Sequence, residues 1–393
     1  MWTNWYSDDI PCAFSRERTY ANATFLSANL SAEFIAFPQR ARSAHPLLSL
    51  WDDSGPTSLL MLNSLAEDMR LLETKPNLAA VVHDLRDADA CLPAWHTLRT
   101  AALLERARVN TVVEFVKAQN DTVPDFVIDV AGTRVPVETK LLMTSEIEDE
   151  FQRSAKLISN AIIEHARGRL DALGTTIVLK ETPAQPLVPA AISKFVELLW
   201  NWKGSRLEYR SDTFNVRLER PGLAAGVAEH RLVHVLMPVP GKEALRVKGR
   251  AGTASSQLRS LPNTAKSGLL ALGLSDRHDG SLIFRVLERQ MRSGRYRGIA
   301  ATLLLKSGVH LRSPRRTIVS LAEIRFNPGA AVPLNNEIHL SSTGPIVSLT
   351  KAEPPSLDVA AYRHLLASGR PMSGSDGFFG LNDIPRAPSE LLN

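Results

Sequence analysis

The stretch PDFVIDVAGTRVPVETK, Pro124 to Lys140, concentrates the side chains best suited to chemistry. Two apolar, β-branched runs flank Ala131-Gly132-Thr133, the pattern of an antiparallel hairpin with a tight turn. Alternate residues of a strand share a face, so Glu138 and Lys140 point one way while Val137, Thr139 and Leu141 point the other. Asp125 opens the preceding strand, where pairing across the turn brings its carboxylate toward Glu138. Two carboxylates so placed repel, and keeping both ionised is costly unless a cation sits between them. Their hard oxygens suit Mg2+ or Mn2+ rather than zinc. A divalent ion held there would polarise a phosphoryl oxygen and lower the pKa of a bound water. Lys140 is close enough to orient or deprotonate that water, or to stabilise charge growing on the phosphate. This is a minimal apparatus for hydrolysing a phosphodiester.

The elements that must position this hairpin can be read on both sides of it. From Pro56, the residues Leu59, Leu60, Leu62, Leu65, Met69 and Leu72 are spaced for one apolar helix face. A second helix is expected over Asn77 to Leu85 and a third over Pro93 to Arg106, with Trp95, Leu98, Ala102 and Leu103 as its buried stripe. Thr111 to Val116 reads as a strand, Asp125 to Val130 as the next, and Arg134 to Leu142 as the third. Beyond the hairpin a long helix is expected over Ser145 to Leu170, a strand at Thr175 to Leu179, and a helix at Val188 to Trp202. Strands follow near Leu207 to Leu218 and Arg231 to Met237. Gly241 to Asn263, rich in Gly, Ser, Arg and Lys, reads as a mobile loop. A helix from Ser281 to Ser293 stops at Gly294, and strands are expected at Ile299 to Leu305 and Thr317 to Ile324. The first 50 residues show no sustained periodicity, and Ser368 to Gly377 reads as a flexible tail.

Pro124-Asp125, a strand, a turn and then Glu138-Thr139-Lys140 resemble the PD-(D/E)xK nuclease superfamily, whose fold is restriction-endonuclease-like. The order helix, strand, motif hairpin, helix, strand resembles it as well. The resemblance implies an α/β protein with a central mixed sheet flanked by helices, an N-terminal helical region and a long insertion. The corresponding divisions are 1–76, a nuclease-like core over 77–326 with an insertion around 181–280, and a C-terminal extension over 327–393. The resemblance further implies that Asp125, Glu138 and the carbonyl of Thr139 hold Mg2+ or Mn2+, and that Lys140 is the catalytic lysine. Family members often carry a glutamate in the helix before the first strand. Here that place falls near Thr97, with Glu105 and Glu114 as residues that could compensate. A site glutamine is expected at Gln290, which follows Ile283 and Leu287 at i, i+4 and i+7, with Gln152 as its rival. The implied function is metal-dependent hydrolysis of nucleic acid, DNA ahead of RNA. The alternative is a catalytically inactive nucleic-acid-binding or protein-interaction module of the same fold.

Composition bounds these readings. The chain has 393 residues, 44% hydrophobic and 22% charged, which is enough for a sizeable core and argues against long disorder. Two cysteines, Cys12 and Cys91, exclude a disulfide scaffold or a Cys-rich zinc module. The N-terminus lacks a basic region followed by an apolar run, and no apolar stretch approaches membrane-spanning length, so a cytoplasmic protein without a membrane partner is expected. The net charge is only +5, but basic residues cluster at Arg246–Arg250, Arg289–Arg297 and Arg312–Arg316. Arg285, Arg289 and Arg292 form a helical stripe that, with Arg295 and Arg297, could follow a phosphate backbone. Homodimerisation is left open. His230 and His234 lack a metalloprotease glutamate, Gly241-Lys242 lacks the earlier glycine of a phosphate loop, and Ser373 and Ser375 lack a nucleophile-elbow context.

Overall fold

A computed structural model describes residues 16–35, 45–52, 56–106, 110–116, 123–142, 174–179, 187–204, 206–212, 214–219, 233–236, 241–274, 278, 280–310, 317–334, 338, 346–348 and 378–381. It is a mixed α/β structure. The chain divides into two compact units, Met1–Leu142 with Ala244–Gly369 and Asp376–Asn393, and Met143–Glu243 with Arg370–Ser375.

The first unit opens with helices α1 (Arg16–Leu30), α2 (Ala32–Ile35), α3 (Pro46–Asp52), α4 (Pro56–Leu72), α5 (Leu78–Asp84) and α6 (Cys91–Arg106). The apolar stripes read for α4 and α6 are buried as expected. Between these two helices Asp68, with no exposed surface, is ion-paired with Arg99 Nε at 3.1 Å, and its Oδ1 accepts Arg106 Nη2 at 2.7 Å and Arg99 Nη1 at 3.4 Å. Removing one partner from such a buried network strands a charge in low dielectric, so it clamps α4 to α6.

After α6 come β1 (Asn110–Phe115), β2 (Phe126–Val130) and β3 (Thr133–Leu141). β1 pairs with β2, and β2 with β3, all antiparallel. The hairpin turn is built as its sequence implies. Ala131 and Gly132 have φ of 50° and 84°, and Asp129 Oδ1 accepts the Gly132 N–H at 2.9 Å. Both central residues at positive φ twist the turn with the strands.

The rest of this unit comprises α8 (Gly241–Gln257), β8 (Gly268–Gly273), α9 (Gly280–Arg292), β9 (Ile299–His310), β10 (Thr317–Phe326), β11 (Ile346–Ser348) and β12 (Phe378–Gly380). The sheet runs β1-β2-β3-β8-β9-β10-β11, with β12 pairing on β9 where β8 has ended. β3, β8 and β9 are mutually parallel at its centre. The second unit holds β4 (Gly174–Leu179), α7 (Leu187–Asn201), β5 (Arg206–Arg210), β6 (Phe214–Glu219) and β7 (Val233–Leu236), in a sheet of order β5-β6-β4-β7.

Three readings of the sequence need correction, and two of them concern the centre of the first unit's sheet. Gly241 to Asn263 is not a loop through most of its length but the helix α8. Its buried Val247, Ala251, Ala254 and Leu258 recur at i, i+4, i+7 and i+11, and this face packs on Leu270, Leu272 and Leu304 of the sheet. Small residues and glycines hide that periodicity, yet they let the helix sit close. β8 was not anticipated, because a strand buried on both faces carries no alternation. The expected Leu207 to Leu218 strand is two strands, β5 and β6, which pair antiparallel. The helix expected over Ser145 to Leu170, Gln152, the cluster Arg312–Arg316 and the tail Ser368 to Gly377 lie outside the described residues.

Close approach of backbones is what seats α8. A Cβ at Gly298 would lie 2.0 Å from the Ser255 carbonyl oxygen of α8, and one at Gly268 would lie 2.1 Å from that of Pro136. Gly249, on the exposed side of α8, meets nothing within 4 Å. We therefore expect Gly298→Ala to destabilise the fold by about 3 kcal/mol through overpacking. Gly249→Ala should instead stabilise it by roughly 0.5–1 kcal/mol by restricting the unfolded chain. Urea unfolding of both variants checks the contrast, and a tolerated Gly298→Ala would refute the packing account.

Candidate active site

The register of the central strands decides which way each side chain of the hairpin looks. Glu138 stands level with Leu270 and Lys140 with Leu272, and both leucines belong to the core covered by α8 and α9. Glu138 and Lys140 therefore share the α8 side of the sheet. Thr139 points to the opposite side, where its hydroxyl meets Thr97 of α6 with 2.7 Å between the oxygens. Asp125 lies just before β2, at the flank of β3 that β2 leaves free. Its Oδ2 accepts the Thr139 N–H at 2.6 Å and the Thr139 hydroxyl at 2.7 Å. In a strand the N–H and C=O of one residue leave on the same side. The Thr139 carbonyl is thus directed to the same free flank as the Asp125 carboxylate.

Electrostatics at this point are severe. Glu138 is 1% exposed, and neither carboxylate oxygen receives a well-formed hydrogen bond. Burial, followed by repulsion from Asp125, pushes its pKa up to about 8. The Lys140 ammonium, paired with Glu138 Oε1, and the nearby Gln257 amide act in the opposite direction. Asp125 is also raised above the ordinary carboxylate range, chiefly by burial, against the lowering effect of the two Thr139 bonds and Lys140. A buried and a half-buried carboxylate that resist ionising beside each other, with one ammonium between them and solvent, make a hard-oxygen donor set short of positive charge. That set fits a divalent cation, with Asp125, Glu138 and the Thr139 carbonyl as the groups that would hold it. Among the described residues no cluster of three His, Cys, Asp or Glu side chains occurs. Such a cation would accordingly keep several waters.

The other expected residues are placed as follows. Gln290, near the end of α9, accepts Arg295 Nη1 on its amide oxygen at 3.1 Å. The glutamine that meets Glu138 is Gln257, the last residue of α8, whose Nε2 also donates to Val123 O at 3.4 Å. Sequence reasoning passed over Gln257 because its helix was read as a loop. Its position next to Leu258, at the edge of the Val247–Ala251–Ala254 stripe, was the available signal. Thr97 meets the Thr139 hydroxyl on the side of the sheet opposite Glu138 and Lys140. Glu105 and Glu114 do not compensate for it. Glu105 holds Lys75 Nζ at 2.6 Å and the Val112 N–H at 2.5 Å, and Glu114 is paired with Arg134. No protein-family model, curated protein or solved structure matches this chain.

A glutamate that ordinarily titrates near 4.5 but keeps its proton to about 8 when folded makes folding pH-dependent. Between those values the unfolded chain has released the proton and the folded chain has not. Stability therefore falls as pH rises through the window, by up to about 1.4 kcal/mol per pH unit. Glu138→Gln removes this dependence. The expected outcome is that the variant gains on the wild type from pH 5 to pH 8 in metal-free buffer, measured by urea unfolding. Addition of Mg2+ at pH 8 should stabilise only the wild type, and parallel pH profiles would exclude the strained carboxylate.

Proposed function

We propose that this protein is a metal-dependent nuclease of restriction-endonuclease-like fold that hydrolyses phosphodiester bonds of nucleic acid, DNA ahead of RNA. The observation that carries the reading is the buried Glu138 carboxylate beside Asp125, countered by Lys140 and left without well-formed hydrogen bonds. A Mg2+ or Mn2+ ion bound there supplies the positive charge that stabilises the phosphoryl oxygens and eases proton loss from water. Asp125 and Glu138 provide its carboxylate oxygens, and Thr139 provides a main-chain oxygen. Lys140, with its side chain 19% exposed, reaches from the buried carboxylate toward solvent. It can orient the attacking water and stabilise charge on the phosphate. Gln257 restrains Glu138 from the helix above it. It takes the role that the sequence suggested for Gln290.

Two further features support the proposal. The order α6-β1-β2-β3, then α8 and β8 with β8 parallel to β3, follows the pattern of the superfamily that the motif resembles. The second unit, Met143–Glu243, would be an insertion between β3 and α8. Arg285, Arg289 and Arg292 are exposed along α9, and Arg295 and Arg297 beyond it are exposed too, which suits contact with a phosphate backbone. The second reading, a nucleic-acid-binding module without catalysis, is favoured by one observation. Thr97, which is not acidic, falls near the place where members of the superfamily that the motif resembles often carry a helix glutamate.

The test is cleavage of DNA and RNA, single and double stranded, by purified wild type, Asp125→Ala and Lys140→Ala with and without Mg2+. Each substitution should lower Mg2+-dependent cleavage at least about 100-fold, with unchanged far-UV circular dichroism. Equal cleavage by all three proteins would reject the assignment. Binding that weakens steeply with salt, is indifferent to Mg2+ and produces no scission would establish the second reading instead.

A further inference from the structure

Hydrogen atoms must be counted along the contacts that lead from α6 to Asp125. Thr97 Oγ1 lies 3.1 Å from the Pro93 carbonyl oxygen and 2.7 Å from Thr139 Oγ1, which in turn lies 2.7 Å from Asp125 Oδ2. Three contacts compete for two hydroxyl hydrogens. With a cation bound, Asp125 is ionised and has no hydrogen to give, so Thr139 donates to Asp125. Thr139 can then only accept from Thr97, whose hydrogen turns away from Pro93. The direction of the chain is fixed as Thr97 to Thr139 to Asp125. Both threonines are buried, at 6% and 8% exposure, so bulk water cannot readily replace either hydroxyl. Thr139 is β-branched and in a strand, so its hydroxyl has few rotamers to choose from.

The consequence falls on the Asp125 carboxylate. Its Oδ2 is engaged by two donors from Thr139, while Oδ1 makes no hydrogen bond among the described residues. We infer that Thr97 is a positioning residue for Asp125. Acting through the Thr139 hydroxyl, it locks the carboxylate so that Oδ2 is spent on protein donors and Oδ1 is presented to a divalent cation. This rests on the metal-site reading above. Thr97 touches neither the cation nor the substrate. Its contribution is to the geometry of a ligand, as outer-shell partners of metal sites commonly contribute.

The experiment compares wild type, Thr97→Val, which keeps the shape and removes the hydroxyl, and Thr97→Ser, which restores it. Mn2+ binding is followed by titration calorimetry, and Mn2+-dependent cleavage is measured in parallel. Thr97→Val should weaken Mn2+ binding about tenfold and raise the Mn2+ concentration needed for half-maximal cleavage to match, with kcat retained at saturating Mn2+. Thr97→Ser should behave as wild type. In metal-free protein, the stability effects of Thr97→Val and Asp125→Ala should be non-additive, since each breaks the same chain. Additive stability effects, or wild-type Mn2+ affinity in Thr97→Val, would overturn the inference. A wild type that takes up no Mn2+ while the double-mutant cycle remains non-additive would overturn the metal-site reading and leave the hydroxyl chain standing.

Discussion

The desolvation of Glu138 governs the arrangement around it. Its register in β3 puts the carboxylate level with Leu270, on a face covered by apolar side chains of α8 and α9. A charge there loses most of its hydration and feels a second carboxylate close by. Nothing in a low-dielectric core compensates for this except positive charge or oriented dipoles brought in deliberately. Lys140, two residues along the same face, provides the first. Gln257 provides the second, and only because α8 runs close over the sheet. The glycines at 268 and 298 belong to the same requirement, since a side chain at either would push carbonyl groups of neighbouring elements away.

The opposite side of the sheet is organised for rigidity. α6 carries Thr97 to Thr139, and its own placement is held by the buried Asp68–Arg99–Arg106 network. Next to Thr97, the fully buried His96 packs against Gly273, where an added Cβ would come within 2.9 Å of its ring. Burial lowers the His96 pKa to about 4, so the imidazole is neutral at physiological pH and adds no charge behind the site. The two faces of β3 thus divide the labour. One buries the Glu138 carboxylate beside apolar side chains and Lys140, and the other packs the strand against α6 through Thr139 and Thr97.

The pattern of the chain announced much of this and concealed the rest for identifiable reasons. The hairpin was readable because a two-residue turn with glycine and alternating apolar residues has few other solutions. α4, α6 and α9 were readable because apolar residues recur along them at helical spacing, although α4 and α6 turn out to be buried around most of their circumference. α8 was concealed by glycine, serine and threonine, whose low propensity outweighed a stripe of Val247, Ala251, Ala254 and Leu258. β8 was concealed because burial on both faces erases alternation. Gln257 offers no local sign of a site glutamine while the stretch around it reads as a loop; with α8 helical, its final residue is the one beside Glu138.

What the amino-acid order alone determined was local: the strand–turn–strand that carries Asp125, Glu138 and Lys140, and the alternation that sets Glu138 and Lys140 on one side with Thr139 on the other. Those features depend on dihedral preferences and side-chain periodicity within a few residues. The tertiary structure decided which neighbours those side chains meet. It seated Gln257 beside Glu138, joined Thr97 to Thr139, and withdrew Glu105 and Glu114 into other ion pairs. These outcomes depend on parallel pairing of β3 with β8 and on helices packed across long sequence separations. Burial, charge and hydrogen bonding there are set by elements that no local pattern around the hairpin encodes.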